Sequence, residues 1–568
     1  MEVSPPGKVA TPQQPARTGT AEEAPGRWAG RAAVRRLGST TGRLSAPAAT
    51  GLGSFLLLAA VLLVRNAYLF SARIYENQDF AANTIAVLQA KHLGLLTGNY
   101  SKEGFYHPGP AFLYVMTAGE SVLHDLLHVV PTPWNGQLIA ILLLNAALIA
   151  ASLAVLARHA RSRWVTLACL TVVLVFAAVH PLPVNSAWMP YVYFTPALLL
   201  LVSAASVAAG QTVDLPLLAL SAGLCINGQA EFLLFAPATV LVSLGALIAA
   251  HRHDLRDLFR GRARHWAGAL AVAALLLFPI VLNTVLHWPG QFGNYLTYRR
   301  NVANHHMIHH SLGVAVSYTL RYWWPGTPNS AADRGGLWVA AVLGILALAL
   351  ALRCPRPGLR LFLLWSLAMA GLMTVLFIYF ARTSMSDEDI HNQAYLGYFY
   401  WAAPLVVALA AAAGAVVYLD RRRVALLALA AVVAGGAVIA TVAPQHRDNP
   451  DDPPARYLGV PQLPHVVKAM AAVAGGRAIV ITIAQNDWMD AVGVVAYADR
   501  AGLRSCVVGP HWTVMFRAQS MCTPREIRAG VSFWFTGTPG WTPRAGSVVA
   551  RFPAPSATLV IRRPLTGM

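Results

Sequence analysis

Gly51 to Phe70 reads GLGSFLLLAAVLLVRNAYLF, and Ser71 to Phe80 continues it as SARIYENQDF. The first block is mostly apolar, and at 1.5 Å rise per residue its length matches the hydrocarbon thickness of a bilayer. Upstream stand Arg31, Arg35, Arg36 and Arg43; downstream come the acids Glu76 and Asp79. A basic flank holds its end of a span in the cytoplasm, so the block reads as a signal anchor and ENQDF as part of the first outer loop. It lies too far into the chain for a cleavable secretory peptide.

The rest of the chain repeats this pattern. Of 568 residues, 56% are hydrophobic and 12% charged, whereas a soluble domain carries about 25% charged residues. Apolar blocks at about 51–70, 136–157, 164–180, 188–209, 213–226, 229–250, 265–287, 337–352, 359–381, 395–419 and 424–442 predict eleven transmembrane helices. Alternate threading puts the loops 158–163, 251–264, 353–358 and 420–423 inside, and these hold Arg158, Arg161, Arg163, Arg252, Arg256, Arg260, Arg262, Arg264, Arg353, Arg356 and Arg421 to Arg423. The longer outer segments 288–336 and 382–394 hold only Arg299, Arg300, Arg321, Arg334 and Arg382. That asymmetry is what the positive-inside rule requires. It also accounts for the formal charge of +19, which is spread over short loops and forms no nucleic-acid groove.

Three regions depart from simple spans. Residues 1–50 are rich in Pro, Gly, Ala, Thr and Arg and read as a disordered basic cytoplasmic tail. Residues 110–130 carry Glu120, His124, Asp125 and His128 among apolar positions, so they read as an amphipathic helix on the outer interface, within a first outer loop of 71–135. The short block 213–226 ends in Asn227-Gly228-Gln229 and predicts a half-length helix near the outer leaflet. Beyond the membrane region of 51–442, residues 443–568 predict a small extracytoplasmic α/β domain. Its strands are expected at Ala478 to Ala484, Ser505 to Val508, Val531 to Thr536, Val548 to Phe552 and Thr558 to Ile561, with Asp487 to Ala501 as a crossover helix. Cys506 and Cys522 are its two cysteines, and an oxidising compartment predicts a disulfide between them.

Asp79 stands a few residues past a membrane exit and just before a predicted surface helix. A carboxylate there serves as a general base on a hydroxyl, or as ligand of a divalent cation such as Mg2+ or Mn2+ that holds a phosphate. The alternative is a helix cap at Phe80. Glu76 reads as a solvated partner in the same substrate-binding loop. Glu231 lies inside an apolar block, where an ionisable group usually faces a cavity, or else bonds to Asn227 or Gln229. Arg299, Arg300 and Arg321 suit a lipid phosphate or a solvated loop equally. His305, His306, His309 and His310 lack the glutamate of a zinc-protease pattern and read as structural. Asp387-Glu388-Asp389 reads as a solvated helix flank, and Tyr395, Tyr398, Phe399, Tyr400 and Trp401 as an interfacial aromatic belt.

A membrane helix, an outer loop with an acid, a juxtamembrane helix and then His107-Pro108-Gly109-Pro110 together resemble the GT-C glycosyltransferases, closest to the protein O-mannosyltransferase and aminoarabinose transferase branch. The resemblance covers about the first 250 residues by motif. It implies a polyprenyl-phosphate-linked sugar as donor and reaction at the outer face, with Asp79 as the acid of the first outer loop and His107 opening the second surface helix. A second acid expected in the next loop is missing from His180 to Trp188, and Glu231 is the candidate to replace it. The Ala-, Arg- and Gly-rich composition fits an actinobacterial cell-envelope enzyme of the plasma membrane, whose acceptor is a glycan, lipid or protein. The rival readings are a phospho-group transferase with the same lipid geometry, and a lipid-linked-glycan flippase. A transporter predicts repeat symmetry between halves, and the one short helix has no counterpart.

Overall fold

The computed structural model describes residues 45–304, 309–326, 328, 332–419, 423, 426, 435, 461–484, 487–537, 547–552 and 559–562. The basic tail and the eleventh predicted span lie essentially outside these residues. Among those described, α1 (Ala46–Arg65) is the anchor helix. After it come α2 (Gln78–Lys91), starting one residue past the N-cap Asn77, and α3 (Ala111–Gly119), which continues as a π-helical turn over Glu120–Leu126. Next are α4 (Pro133–Ala160), opened by proline at a position that needs no amide proton, and α5 (Arg163–Val179). They are followed by α6 (Met189–Ala208), α7 (Leu215–Gly228), α8 (Phe232–Ala250) and α9 (Ala263–Leu286).

Two shorter helices, α10 (Gly290–Asn304) and α11 (Leu312–Leu320), lead to α12 (Asp333–Arg353) and α13 (Pro357–Thr383). The short α14 (Asp387–Asn392) precedes α15 (Ala394–Val416), whose first eight residues wind as a 3-10 helix. Eight of the described helices are long and apolar enough to cross a membrane: α1, α4, α6, α8, α9, α12, α13 and α15. The predicted blocks at 164–180 and 213–226 are also helical, but shorter.

Burial separates lipid-facing from central helices. Every residue of α6 from Phe194 to Ala208 is buried in protein. In contrast, α9 exposes Leu275, Phe278 and Val285, and α12 exposes Val342 and Ile345. Exposed side chains this apolar on a long helix face lipid rather than water.

The C-terminal region starts with α16 (Leu463–Ala474) and continues through β1 (Ile479–Ile483), α17 (Trp488–Arg500) and β2 (Ser505–Val507). Then come α18 (Pro524–Ala529), β3 (Val531–Thr536), β4 (Ser547–Arg551) and β5 (Leu559–Arg562). The strand order is β2-β1-β3-β5-β4; β1 pairs parallel with β2 and β3, while β5 pairs antiparallel with β3 and β4. Each expected strand is present, and α17 is the crossover between β1 and β2. Cys506 on β2 is bonded to Cys522. The sheet does not stand apart from the membrane region. Ala81, Ala82 and Ile85 on α2 belong to its hydrophobic core, beside Val466, Met470 and Val495.

That docking corrects the sequence reading of Glu76. It is buried, accepting from Thr84 Oγ1 at 2.6 Å and from Tyr497 OH at 2.5 Å, with Arg500 Nη2 3.5 Å away. Glu120 is likewise fully buried and accepts both prongs of the Arg500 guanidinium, while Lys91 Nζ lies 2.5 Å from it. Burial alone raises the Glu120 carboxyl, but the Arg500 and Lys91 contacts outweigh it and hold it below the usual range. The 110–130 helix therefore presents its main acid to the C-terminal domain instead of to solvent. The aromatic run also departs from expectation. Phe399, Tyr400 and Trp401 are buried, with Tyr398 stacked between Tyr191 at 4.6 Å and Trp401 at 4.7 Å. These rings pack the bundle interior and form no lipid-facing belt.

Candidate functional site

Between α2 and α3 the chain makes a short hairpin closed by a bridge between Tyr100 and Tyr106. Gly98 N donates to His107 O at 2.8 Å, and His107 N to Asn99 O at 2.9 Å. A Cβ on residue 98 would lie 2.8 Å from Gly109 O, so glycine is required for the strands to close. The hairpin forms one wall of a cavity of about 620 Å3. Other walls come from the start of α2, the Trp188–Pro190 turn, the α7–α8 turn, α10, and the region from the end of α13 to the start of α15.

Asp79, Glu231 and His107 all line this cavity. Asp79 sits in the first turn of α2 but caps nothing, because Asn77 is the N-cap and Asp79 turns its oxygens elsewhere. Oδ1 accepts from Tyr100 OH and Oδ2 from Trp188 Nε1 at 2.7 Å. Two donors on one carboxylate fix its orientation.

Glu231 stands in the turn between α7 and α8, outside both helices. Part of its surface is open to the cavity, yet protein encloses it. Burial, reinforced by the charges of Glu103 and Asp389 and offset in part by Gln229, pushes its carboxyl up to about 7. Its Oε2 has no hydrogen-bond partner among the described residues. Asn227 does not reach it and bonds instead to Gly223 O and Leu276 O. His107 holds the turn in place: its Nδ1 accepts from Ala230 N at 3.2 Å, and burial lowers its pKa to about 4, keeping the ring neutral.

The structure adds residues that sequence reading did not assign. Lys102, at the hairpin tip, reaches Asp389 Oδ1 at 2.5 Å, Gln393 Oε1 at 2.7 Å and Glu103 at 3.7 Å. Burial and neighbouring Asp389 raise the Glu103 carboxyl against the pull of Lys102. Asp389, expected as a solvated flank, is buried in a capping box with Ser386. Tyr395 donates to the same Gln393 oxygen at 2.6 Å, and its ring packs 5.4 Å from that of Trp188. A continuous polar and aromatic path therefore runs from Asp79 through Trp188, Tyr395 and Gln393 to Lys102. Leu233, Leu234, Phe235 and Phe380 give the cavity an apolar side.

The expected arginines do not converge on it. Arg321 is buried against Tyr318 and donates to Ile390 O at 3.0 Å, Arg300 is exposed away from the cavity, and the Arg299 side chain lies outside the described residues. Among the cavity's described lining residues, Lys102 is the one cation. His305 and His306 also fall outside the described residues, while His310 is buried against Met385 O. Each Asp79 oxygen accepts one hydrogen bond, and among the described residues no three His, Cys, Asp or Glu side chains converge as ligands.

No protein-family model matches the chain, and no curated protein sequence matches it significantly. Solved structures do. The chain is similar to ArnT from Cupriavidus metallidurans in the apo state, with a TM-score of 0.52 and 14% identity over 91% of this chain and 98% of that one. It is also similar to ArnT of the same organism bound to undecaprenyl phosphate, with a TM-score of 0.50 and 14% identity over 91% of this chain and 99% of that one. At this identity the likeness is one of architecture: this chain has the multi-pass helical membrane fold that ArnT has.

Proposed function

We propose that the protein transfers a sugar from a polyprenyl phosphate to a hydroxyl of a cell-envelope glycan, lipid or protein, in a single inverting displacement within this cavity. The observation that carries the reading is the composition of the cavity wall: the carboxylates of Asp79, Glu103, Glu231 and Asp389, a lysine, aromatic faces and an apolar side enclose one space. The acceptor oxygen attacks the anomeric carbon as the bond from that carbon to the phosphate oxygen breaks, and polyprenyl phosphate leaves. A carboxylate takes the acceptor proton, and the choice falls between Asp79 and Glu231. Lys102 offers the positive charge for the departing phosphate, a role its approach to Asp389 keeps in place. Trp188 and Tyr395 offer flat faces for a sugar ring, and Leu233 to Phe235 an apolar path for the first isoprene units. No step in this scheme passes through a metal ion.

The undecaprenyl phosphate carried by one ArnT structure supports a polyprenyl phosphate as the lipid partner. The arginine asymmetry supports a cytoplasmic N-terminus, with the cavity and the C-terminal domain on the outer face. Lipid analysis of a deletion strain tests the proposal. The expected result is accumulation of a polyprenyl-phospho-sugar together with a truncated envelope glycan, both reversed by the wild-type gene and not by an Asp79→Asn, Glu231→Gln double variant at equal protein level. Full reversal by that double variant would point to a flippase without transfer chemistry.

A further inference from the structure

The hairpin that supplies Tyr100, Lys102, Glu103 and His107 to the cavity is too short to hold its own shape, since isolated two-stranded hairpins are marginal in water. Its position depends on what clasps it. Part of the clasp comes from α10, where Tyr295 OH donates to Tyr106 O at 2.7 Å and Gln291 Oε1 accepts from Tyr106 N at 3.0 Å. The other part comes from the C-terminal domain. Arg517 Nη2 donates to Gly98 O at 2.6 Å and Nη1 to Thr97 Oγ1 at 3.3 Å, while its guanidinium lies 4.7 Å over the Tyr106 ring. Tyr106 OH in turn donates to Thr513 O at 2.8 Å.

Two features of Arg517 exceed what packing requires. Its backbone has φ 63° and ψ 154°, a region that non-glycine residues occupy only when their surroundings force them. Its buried charge meets neutral oxygens and a ring, and no carboxylate pairs with it among the described residues. Burial lowers its pKa to about 10, which still leaves it protonated at neutral pH. The segment that carries it is tied back to β2 at Cys522, by the Cys506–Cys522 bond and by Cys522 N donating to Val507 O at 3.0 Å.

We infer that Arg517 is a positioning residue: its two-pronged hold on Thr97 and Gly98 sets the hairpin that forms one cavity wall, which makes the C-terminal domain a working part of the site. The claim rests on the reading of this cavity as the polyprenyl-phosphate site. A lysine cannot replace the guanidinium, because it lacks the planar fork that reaches both oxygens while stacking on Tyr106.

The test uses the full-length chain in lipid nanodiscs, with hydrogen-exchange mass spectrometry over 97–110 and titration with undecaprenyl phosphate as probe. In Arg517→Gln the hairpin amides should exchange about tenfold faster and the affinity for the probe should fall about tenfold, the scale of losing hydrogen bonds from a charged group. Arg517→Lys should recover only part of either effect, and β1 should keep its protection throughout. Should Arg517→Gln lose protection in β1 as well, Tyr106→Phe decides. It spares the buried charge and removes one contact to Thr513, and about threefold faster hairpin exchange is expected. Unchanged exchange over 97–110 in these variants overturns the clasp, and faster exchange with unchanged probe affinity overturns its service to the cavity. A wild-type chain that does not bind undecaprenyl phosphate overturns the lipid-phosphate reading, and the exchange data keep that failure distinct from failure of the clasp.

Discussion

Trp188 Nε1 donates to Asp79 Oδ2 at 2.7 Å, joining the first turn of α2 to the turn that opens α6. With Tyr100 on the other oxygen, the carboxylate has one orientation. Asp79→Asn keeps the shape but sets an amide NH2 against one of these donors and removes the charge. Transfer should fall by about 100-fold or more at near-normal protein level. Trp188→Phe keeps the aromatic face and loses the donor, and should cost about tenfold. Turnover measured on purified variants checks both. Wild-type turnover in a well-expressed Asp79→Asn variant would move the chemistry to Glu231.

Glu231 differs from Asp79 in being enclosed and short of partners, with its carboxyl pushed up to about 7. If it takes the acceptor proton, turnover should rise with pH through about 7, and Glu231→Gln should abolish that step in the profile. Stability has the opposite sign. The folded pKa lies above the unfolded value, so the folded state binds more protons between the two, and the wild type loses stability as pH rises through that window. Glu231→Gln should therefore raise the unfolding temperature at pH 8 and change it little at pH 4. A Tm lower than wild type at pH 8 would contradict the burial cost.

Arg500 bridges two buried carboxylates, Glu120 at 2.9 Å through Nη2 and Glu76 at 3.5 Å. Arg500→Leu leaves both acids buried without their main cation, which should cost about 3–5 kcal/mol. Limited proteolysis across a thermal ramp should show the C-terminal domain released from α2 before the membrane helices unfold. Simultaneous release of both would show that the bridge does not control docking.

Peptide mapping without reduction should recover Cys506 linked to Cys522, with Cys169, Cys225 and Cys354 as free thiols. The bond closes a separation of 16 residues, for which the chain-entropy model gives about 3 kcal/mol. Cys506→Ser should lower the stability of the C-terminal sheet by that order in denaturant titration.

Reporter fusions after Arg264 and after Pro444 should give cytoplasmic and extracytoplasmic signals, as the arginine distribution requires. Signals on one side would reverse the assignment of the cavity to the outer face.

The spans and the strands of the C-terminal domain were legible in the sequence because they depend on local properties. An apolar run long enough for a bilayer, or a β-branched run such as IVITI bounded by polar turns, declares its state without knowledge of its neighbours. Asp79 and Glu231 could be singled out for the same reason, as acids beside or within apolar blocks. Whether an acid faces a cavity or another protein surface is not local. Glu76, three residues from Asp79, is sealed against Tyr497 and Arg500, more than 400 positions along the chain. Asp389 sits in an ordinary helix-capping pattern, yet lines the cavity through its pairing with Lys102. The run from Tyr398 to Trp401 has the composition of an interfacial belt, and only the crossing of α6, α13 and α15 turns it inward. By itself, then, the sequence determined which segments are apolar helices, which charges flank them and which segments pair as strands, since hydration and backbone hydrogen bonding act within each segment. The tertiary structure alone decided which polar side chains share one enclosed space, because that depends on helix packing and on the docking of the C-terminal domain between residues hundreds of positions apart.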